Sequence, residues 1–74
     1  MAKATENEIK SAVDLCKEIL TELDGLPEQA EIFQASIEER VLSMQEWIEE
    51  NSHVTPKQVS ALENMMRGVK KWKQ

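Results

Sequence analysis

Cys16 and His53 are the only thiol and the only imidazole in this chain of 74 residues. Nucleophilic catalysis by a thiol or hydroxyl needs a base within hydrogen-bond reach, and only His53 could act as an imidazole base. The placement of the two residues argues against it. Cys16 falls on the apolar stripe of an expected helix, where a thiol behaves as a small inert hydrophobe. His53 falls in a polar turn and reads as a solvent-exposed residue. One Cys and one His also exclude a four-ligand Cys/His zinc site, and a lone Cys excludes an internal disulfide. Both glycines are isolated, so no glycine-rich phosphate loop is present. The chain reads as a non-enzyme with no cofactor, no metal and no small-molecule substrate.

Charge is the more informative chemistry. The formal net charge is −5. Residues 1–54 carry thirteen acids against four bases (Lys3, Lys10, Lys17, Arg40), whereas residues 55–74 carry five bases (Lys57, Arg67, Lys70, Lys71, Lys73) against Glu63 alone. Such asymmetry points to an anionic partner for the basic end, or to its docking on the acidic end. The carboxylates Glu28, Glu31, Glu38, Glu39, Glu46, Glu49 and Glu50 read as a solvated surface that favours helix N-termini and solubility. Their functional alternative is an acidic docking face.

The elements that position these charges follow from periodicity and caps. "TENE" at Thr5 to Glu8 is a capping box. Apolar Ile9, Ala12, Val13, Cys16, Ile19, Leu20 and Leu23 then make one helical stripe. "DGLP" at Asp24 to Pro27 ends it, with Gly25 suited to a positive φ. The middle region carries the stripe Ala30, Phe33, Ile37, Val41, Met44 and Ile48, with Trp47 beside it. "SIEE" at Ser36 to Glu39 repeats the capping-box pattern, so this region is either one long helix or a short helix that restarts near Ser36; the stripe stays in phase across Ser36, which favours continuity. The last helix has the fullest start signal: Thr55 as N-cap, Pro56 first, Gln58 completing the box, and Val54 with Val59 as a hydrophobic staple.

On a helical wheel, Val59, Ala61, Leu62, Met65, Met66, Val69 and Trp72 fall on one side of that last helix. Lys57, Ser60, Glu63, Asn64, Arg67, Lys70 and Lys71 fall on the other, and Lys73 sits apart. The basic stripe therefore points to solvent when the apolar side is buried. Lys57, Arg67, Lys70 and Lys71 are the candidate phosphate contacts, of the kind that position a protein without reading sequence. Met44, Met65, Met66, Trp47 and Trp72 read as core fillers before a binding groove, and an exposed Trp would mark a contact site.

Charged residues make up 31% of the chain and aromatics 4%, a composition that suits helices over a sandwich or barrel. The reading is a single all-α domain over 1–74. No apolar run approaches the ~20 residues of a membrane span, and the first ten residues lack the apolar stretch of a signal peptide. A single thiol fits a reducing cytoplasm.

The segment "LPEQAEIFQASIEERVLSMQEWIEENSHVTPKQVSALENMMRGVKKW" (Leu26 to Trp72) resembles the family of small acidic proteins encoded beside the UvsW helicase in T4-like phages. The elements that carry the resemblance are "EWIEEN", "HVT" and "KQ..ALENM..GV..W". It implies a small bundle similar to the HRDC module, the accessory nucleic-acid-binding domain of RecQ helicases, and a setting in phage DNA recombination, repair and replication in the cytoplasm of the infected host. It also implies a break in the middle helix, giving four helices near 5–23, 27–34, 36–51 and 55–72, with three as the alternative. The expected function is a non-enzymatic accessory role with weak contact to single-stranded or branched DNA. The alternative is an acidic adaptor that binds a helicase or recombination protein. Neither implies a membrane.

Overall fold

A computed structural model describes residues 4–73; Lys3 and the outermost ends of the expected domain 1–74 lie outside the described residues. Helix α1 spans Glu6–Leu23, a single 3₁₀ turn covers Glu28–Ala30, α2 spans Glu31–Asn51 and α3 spans Pro56–Lys73. The fold is an all-α bundle of three helices.

Local chemistry sets the starts of α1 and α3. The Thr5 hydroxyl accepts the Glu8 amide at 3.2 Å and the Glu8 carboxylate accepts the Thr5 amide at 3.0 Å. The same reciprocal pair opens α3: the Thr55 hydroxyl accepts the Gln58 amide at 3.2 Å, and the Gln58 side chain accepts the Thr55 amide at 2.8 Å. Each box satisfies amides that lack an intrahelical partner. Val54 is buried and Val59 packs against the core, so both staple positions are occupied as expected.

The middle region is one continuous helix, so the three-helix alternative is the one realised and the break near Ser36 is absent. Ser36 lies exposed inside α2; of the short helix expected over 27–34, Glu28–Ala30 form the 3₁₀ turn and 31–34 belong to α2. The reason is phase. Ile37, Val41 and Ile48 are buried, with Phe33 and Met44 half-buried beside them. An unbroken helix keeps all five on the side facing the core; restarting at Ser36 would forfeit backbone hydrogen bonds without improving that burial.

The turns differ from expectation in one respect. Among the described residues no glycine has a positive φ. After α1, Asp24 stays right-handed (φ −62°, ψ −22°), and the chain tightens through Gly25 N–H to Glu22 O and Leu26 N–H to Leu23 O, both 3.2 Å. The left-handed residue is Ser52 (φ 47°, ψ 46°), which closes α2 with its amide on Ile48 O. The Asn51 side chain donates to Trp47 O at 2.8 Å in the same turn.

Helix α1 is the central element. Its buried Ala12, Cys16, Ile19 and Leu23 pack with Ile37, Val41 and Ile48 of α2 and with Leu62, Met66 and Val69 of α3 in one core. Helices α2 and α3 touch each other more lightly. Two long-range contacts fix the polarity. The Ala4 amide donates to His53 Nδ1 at 3.2 Å at one end, and Lys73 pairs with Glu22 at the other. α1 therefore runs parallel to α3 and antiparallel to α2. The core is small, so truncating a fully buried side chain such as Leu62 to Ala is expected to cost about 2–5 kcal/mol.

Candidate nucleic-acid interface

Helix α3 buries Leu62, Met66 and Val69 against the bundle and turns its cations outward. Lys57, Arg67, Lys70 and Lys71 are all exposed. None of them forms an ion pair among the described residues, where the pair present is Lys73 Nζ with Glu22 Oε2 at 2.5 Å. The basic end thus docks on the acidic end through Lys73, the cation that sits apart from the stripe. The Glu22 carboxyl is held below its ordinary 4.5, first by the hydrogen bond and charge of Lys73 and to a smaller degree by the charge of Lys70.

The four expected contact residues do not form one cluster. At ~1.5 Å rise per residue, Lys57 stands roughly 15 Å along the helix from Arg67 and about 20 Å from Lys71. Arg67, Lys70 and Lys71 occupy adjacent turns and, with Asn64 and Gly68, line one shallow recess. A second recess, lined by Phe33, Gly68, Lys71 and Trp72, adjoins it. The two share Gly68 and Lys71.

Trp72 was expected in the apolar stripe, yet it is 41% exposed. Its aromatic neighbour is Phe33, at a centroid separation of 6.0 Å and an interplanar angle of 40°. Gly68 permits this: a Cβ there would stand 3.2 Å from Phe33 Cζ. Sequence reasoning missed Phe33 and Gly68 as site residues and gave Trp72 as a contact site only if exposed. The available signal was a tryptophan in the last turn beside two lysines.

Trp47 is also 41% exposed, beside the His53 ring at 6.4 Å, so neither tryptophan is the core filler expected of it. The methionines do fill the core: Met66 is buried, and Met44 and Met65 pack against it.

Neither Cys16 nor His53 lines either recess. Cys16 is fully buried, and desolvation pushes its thiol up to about 11, which makes it a poor nucleophile at neutral pH. His53 is half-buried rather than exposed, and its Nδ1 accepts the Ala4 amide. Cys16 lies roughly 15 Å of helix rise beyond the α1 start that His53 touches, so the two are not brought together. Glu28, Glu31, Glu38, Glu39, Glu46, Glu49 and Glu50 are exposed, as expected. Among the described residues no three metal-ligating side chains converge, and no helix is long and apolar enough to cross a membrane. Comparison of the chain with family models, curated proteins and solved structures gives no match.

Proposed function

We propose that the protein is a non-enzymatic accessory factor that makes weak contact with nucleic acid through the C-terminal part of α3. The observation that carries the reading is the juxtaposition of three exposed cations that form no ion pair among the described residues (Arg67, Lys70, Lys71) and the part-exposed Trp72. Cations that track phosphates beside an aromatic surface that stacks a base suit single-stranded nucleic acid. Lys57, a distance along the same helix, extends the basic track. The resemblance of Leu26 to Trp72 to the phage proteins encoded beside the UvsW helicase supports a role in phage DNA recombination, repair or replication. The net charge of −5 opposes long-range attraction, so affinity is low and local.

The test is titration of the isotope-labelled protein with a single-stranded oligonucleotide, a duplex and a branched junction at low salt. Amide shifts over Arg67 to Lys73 and quenching of Trp72 are expected with the single strand. Three phosphate contacts predict a slope of about −2 in log K against log salt. No movement on α3 at low salt rejects the reading.

A second reading rests on α2, where Ile32 (87%), Leu42 (48%) and Trp47 are exposed apolar residues along a helix that carries exposed Glu38, Glu39, Glu46, Glu49 and Glu50. Such a surface suits an adaptor to a helicase or recombination protein. Capture of a partner that survives nuclease treatment, lost on Trp47→Ala, separates it from the first.

A further inference from the structure

Because α2 and α3 touch lightly, the side between them is open. At one end lies the recess of Phe33, Gly68, Lys71 and Trp72. Beyond it is a wider recess of about 610 Å³, lined by Ser36, Glu39, Arg40, Ser43 and Met44 of α2 and by Gln58 of α3. Phe33, Ser36, Arg40 and Ser43 follow at three- and four-residue steps and so share one flank of α2. Gln58, Ala61, Met65, Gly68 and Trp72 do the same on α3. The two recesses therefore adjoin along one groove, roughly 15 Å long from Phe33 to Met44. Its apolar residues are not sealed in the core: Phe33, Met44, Ala61 and Met65 are half-buried and Trp72 is exposed.

The charges at this groove differ from those of the rest of the molecule. Arg40 is the only base of α2; it is exposed and forms no ion pair among the described residues. On α3, Lys57, Asn64 and Lys71 recur every seven residues, close to two helical turns, and so stand on one face. Lys71 lines the Phe33 recess itself. The acid that lines the groove is Glu39. Glu49 lines a recess on the other flank of α2, against α1; Glu31 and Glu38 share that flank by the helical repeat, and Glu46 and Glu50 fall on the outer face. Glu63 of α3 stands one turn after Val59, on the flank toward α1, together with Arg67 and Lys70. The groove thus gathers Arg40, Lys57 and Lys71 against Glu39 in a protein of net charge −5.

We infer that a single strand of nucleic acid, held at the basic end of α3, runs on through the α2–α3 groove, with Arg40 of α2 as a phosphate contact on one wall and Lys57 on the other. The inference rests on the nucleic-acid reading above and adds to it a path and a strand class. Cations along a groove track the backbone, and the half-open Phe33, Met44, Met65 and Trp72 offer apolar surface to unpaired bases. Ser36, Ser43 and Gln58 add hydrogen-bonding groups. A duplex keeps its bases stacked inside and gains nothing from such a floor.

The probe is an oligothymidine of about ten nucleotides, titrated into the isotope-labelled full chain, with a duplex of the same length beside it. Shifts at Ser36, Arg40, Ser43 and Gln58 are expected together with those of Arg67 to Lys73. Five phosphate contacts predict a slope of about −3.5 in log K against log salt, where the three cations of the basic end alone give about −2. Arg40→Gln changes an exposed position, leaves the core intact, and should lower the slope by about 0.7, as should Lys57→Gln. Lys10→Gln removes the same charge at the α1–α2 recess and should change neither slope nor affinity. Shifts confined to the end of α3, with a slope near −2 and Arg40→Gln matching the parent, overturn the groove path and leave the nucleic-acid reading standing. Equal losses in Arg40→Gln and Lys10→Gln, or a duplex bound as tightly as the single strand, also overturn it. No shift anywhere at low salt rejects both.

Discussion

The ring of Phe33, near the start of α2, lies where a side chain on Gly68 of α3 would have to be: a Cβ at Gly68 would meet Phe33 Cζ at 3.2 Å. This is a close approach of two helices that otherwise touch lightly, and it seats Phe33 against Trp72.

Two effects therefore compete in Gly68→Ala. Helix propensity favours alanine by about 1 kcal/mol, and the ring must move by a few tenths of an ångström. The expected result is stability within about 0.5 kcal/mol of the parent by urea unfolding, with altered Trp72 emission. Gly68→Ile forces the ring away altogether and should destabilise by about 1–3 kcal/mol. Equal stability of the isoleucine variant would show that Phe33 is not held at this contact.

Thr55→Ala removes the acceptor for the Gln58 amide and unmakes one half of the α3 capping box. A loss of about 1 kcal/mol is expected in chemical denaturation, and Thr55→Ser should restore most of it. The measurement is circular dichroism at the helical band. An unchanged midpoint in Thr55→Ala would mean that α3 is held by packing alone.

The Glu22–Lys73 pair makes stability depend on pH in a definite sense. The Glu22 carboxyl is lowered from 4.5 in the folded chain, chiefly by its hydrogen bond to Lys73. A depressed folded value means that the stabilisation is present above 4.5 and is lost as pH falls through the folded value. Glu22→Gln should therefore melt below the parent at neutral pH, and the two melting curves should converge in acid. Both side chains are about one-third exposed, so the neutral-pH gap should be small and should narrow with added salt. A gap that widens in acid contradicts the assignment.

Cys16 is buried in the centre of α1, with its thiol raised to about 11. Disulfide-exchange reagents should modify it only when the bundle opens, at least about a hundredfold more slowly than in urea. Rapid native labelling would place the thiol at the surface. Cys16→Ala should fold, with a cost of order 1 kcal/mol for the lost packing.

The sequence alone determined the parts of this fold that depend on residues within a turn of one another. The boxes at Thr5/Glu8 and Thr55/Gln58 join residues three apart, and the stripes Ala12–Cys16–Ile19–Leu23 and Leu62–Met66–Val69 follow from the helical repeat. The outward direction of Arg67, Lys70 and Lys71 follows from the same repeat. Tertiary structure decided the rest, because it depends on how long each helix is and where its neighbours stop. The pattern at Ser36 is as good a cap as that at Thr5. The common phase of Phe33, Ile37 and Val41 already favoured an unbroken helix, and in the fold Ser36 stays inside α2. Lys73 leaves the basic group because α1 brings Glu22 to it across 51 positions. Trp72 lies on the apolar side of the helical wheel, yet it is 41% exposed and meets Phe33 of α2. No local rule carries such information: a cap or a stripe states what a segment can do, and the partner's length and position select which of those options is realised.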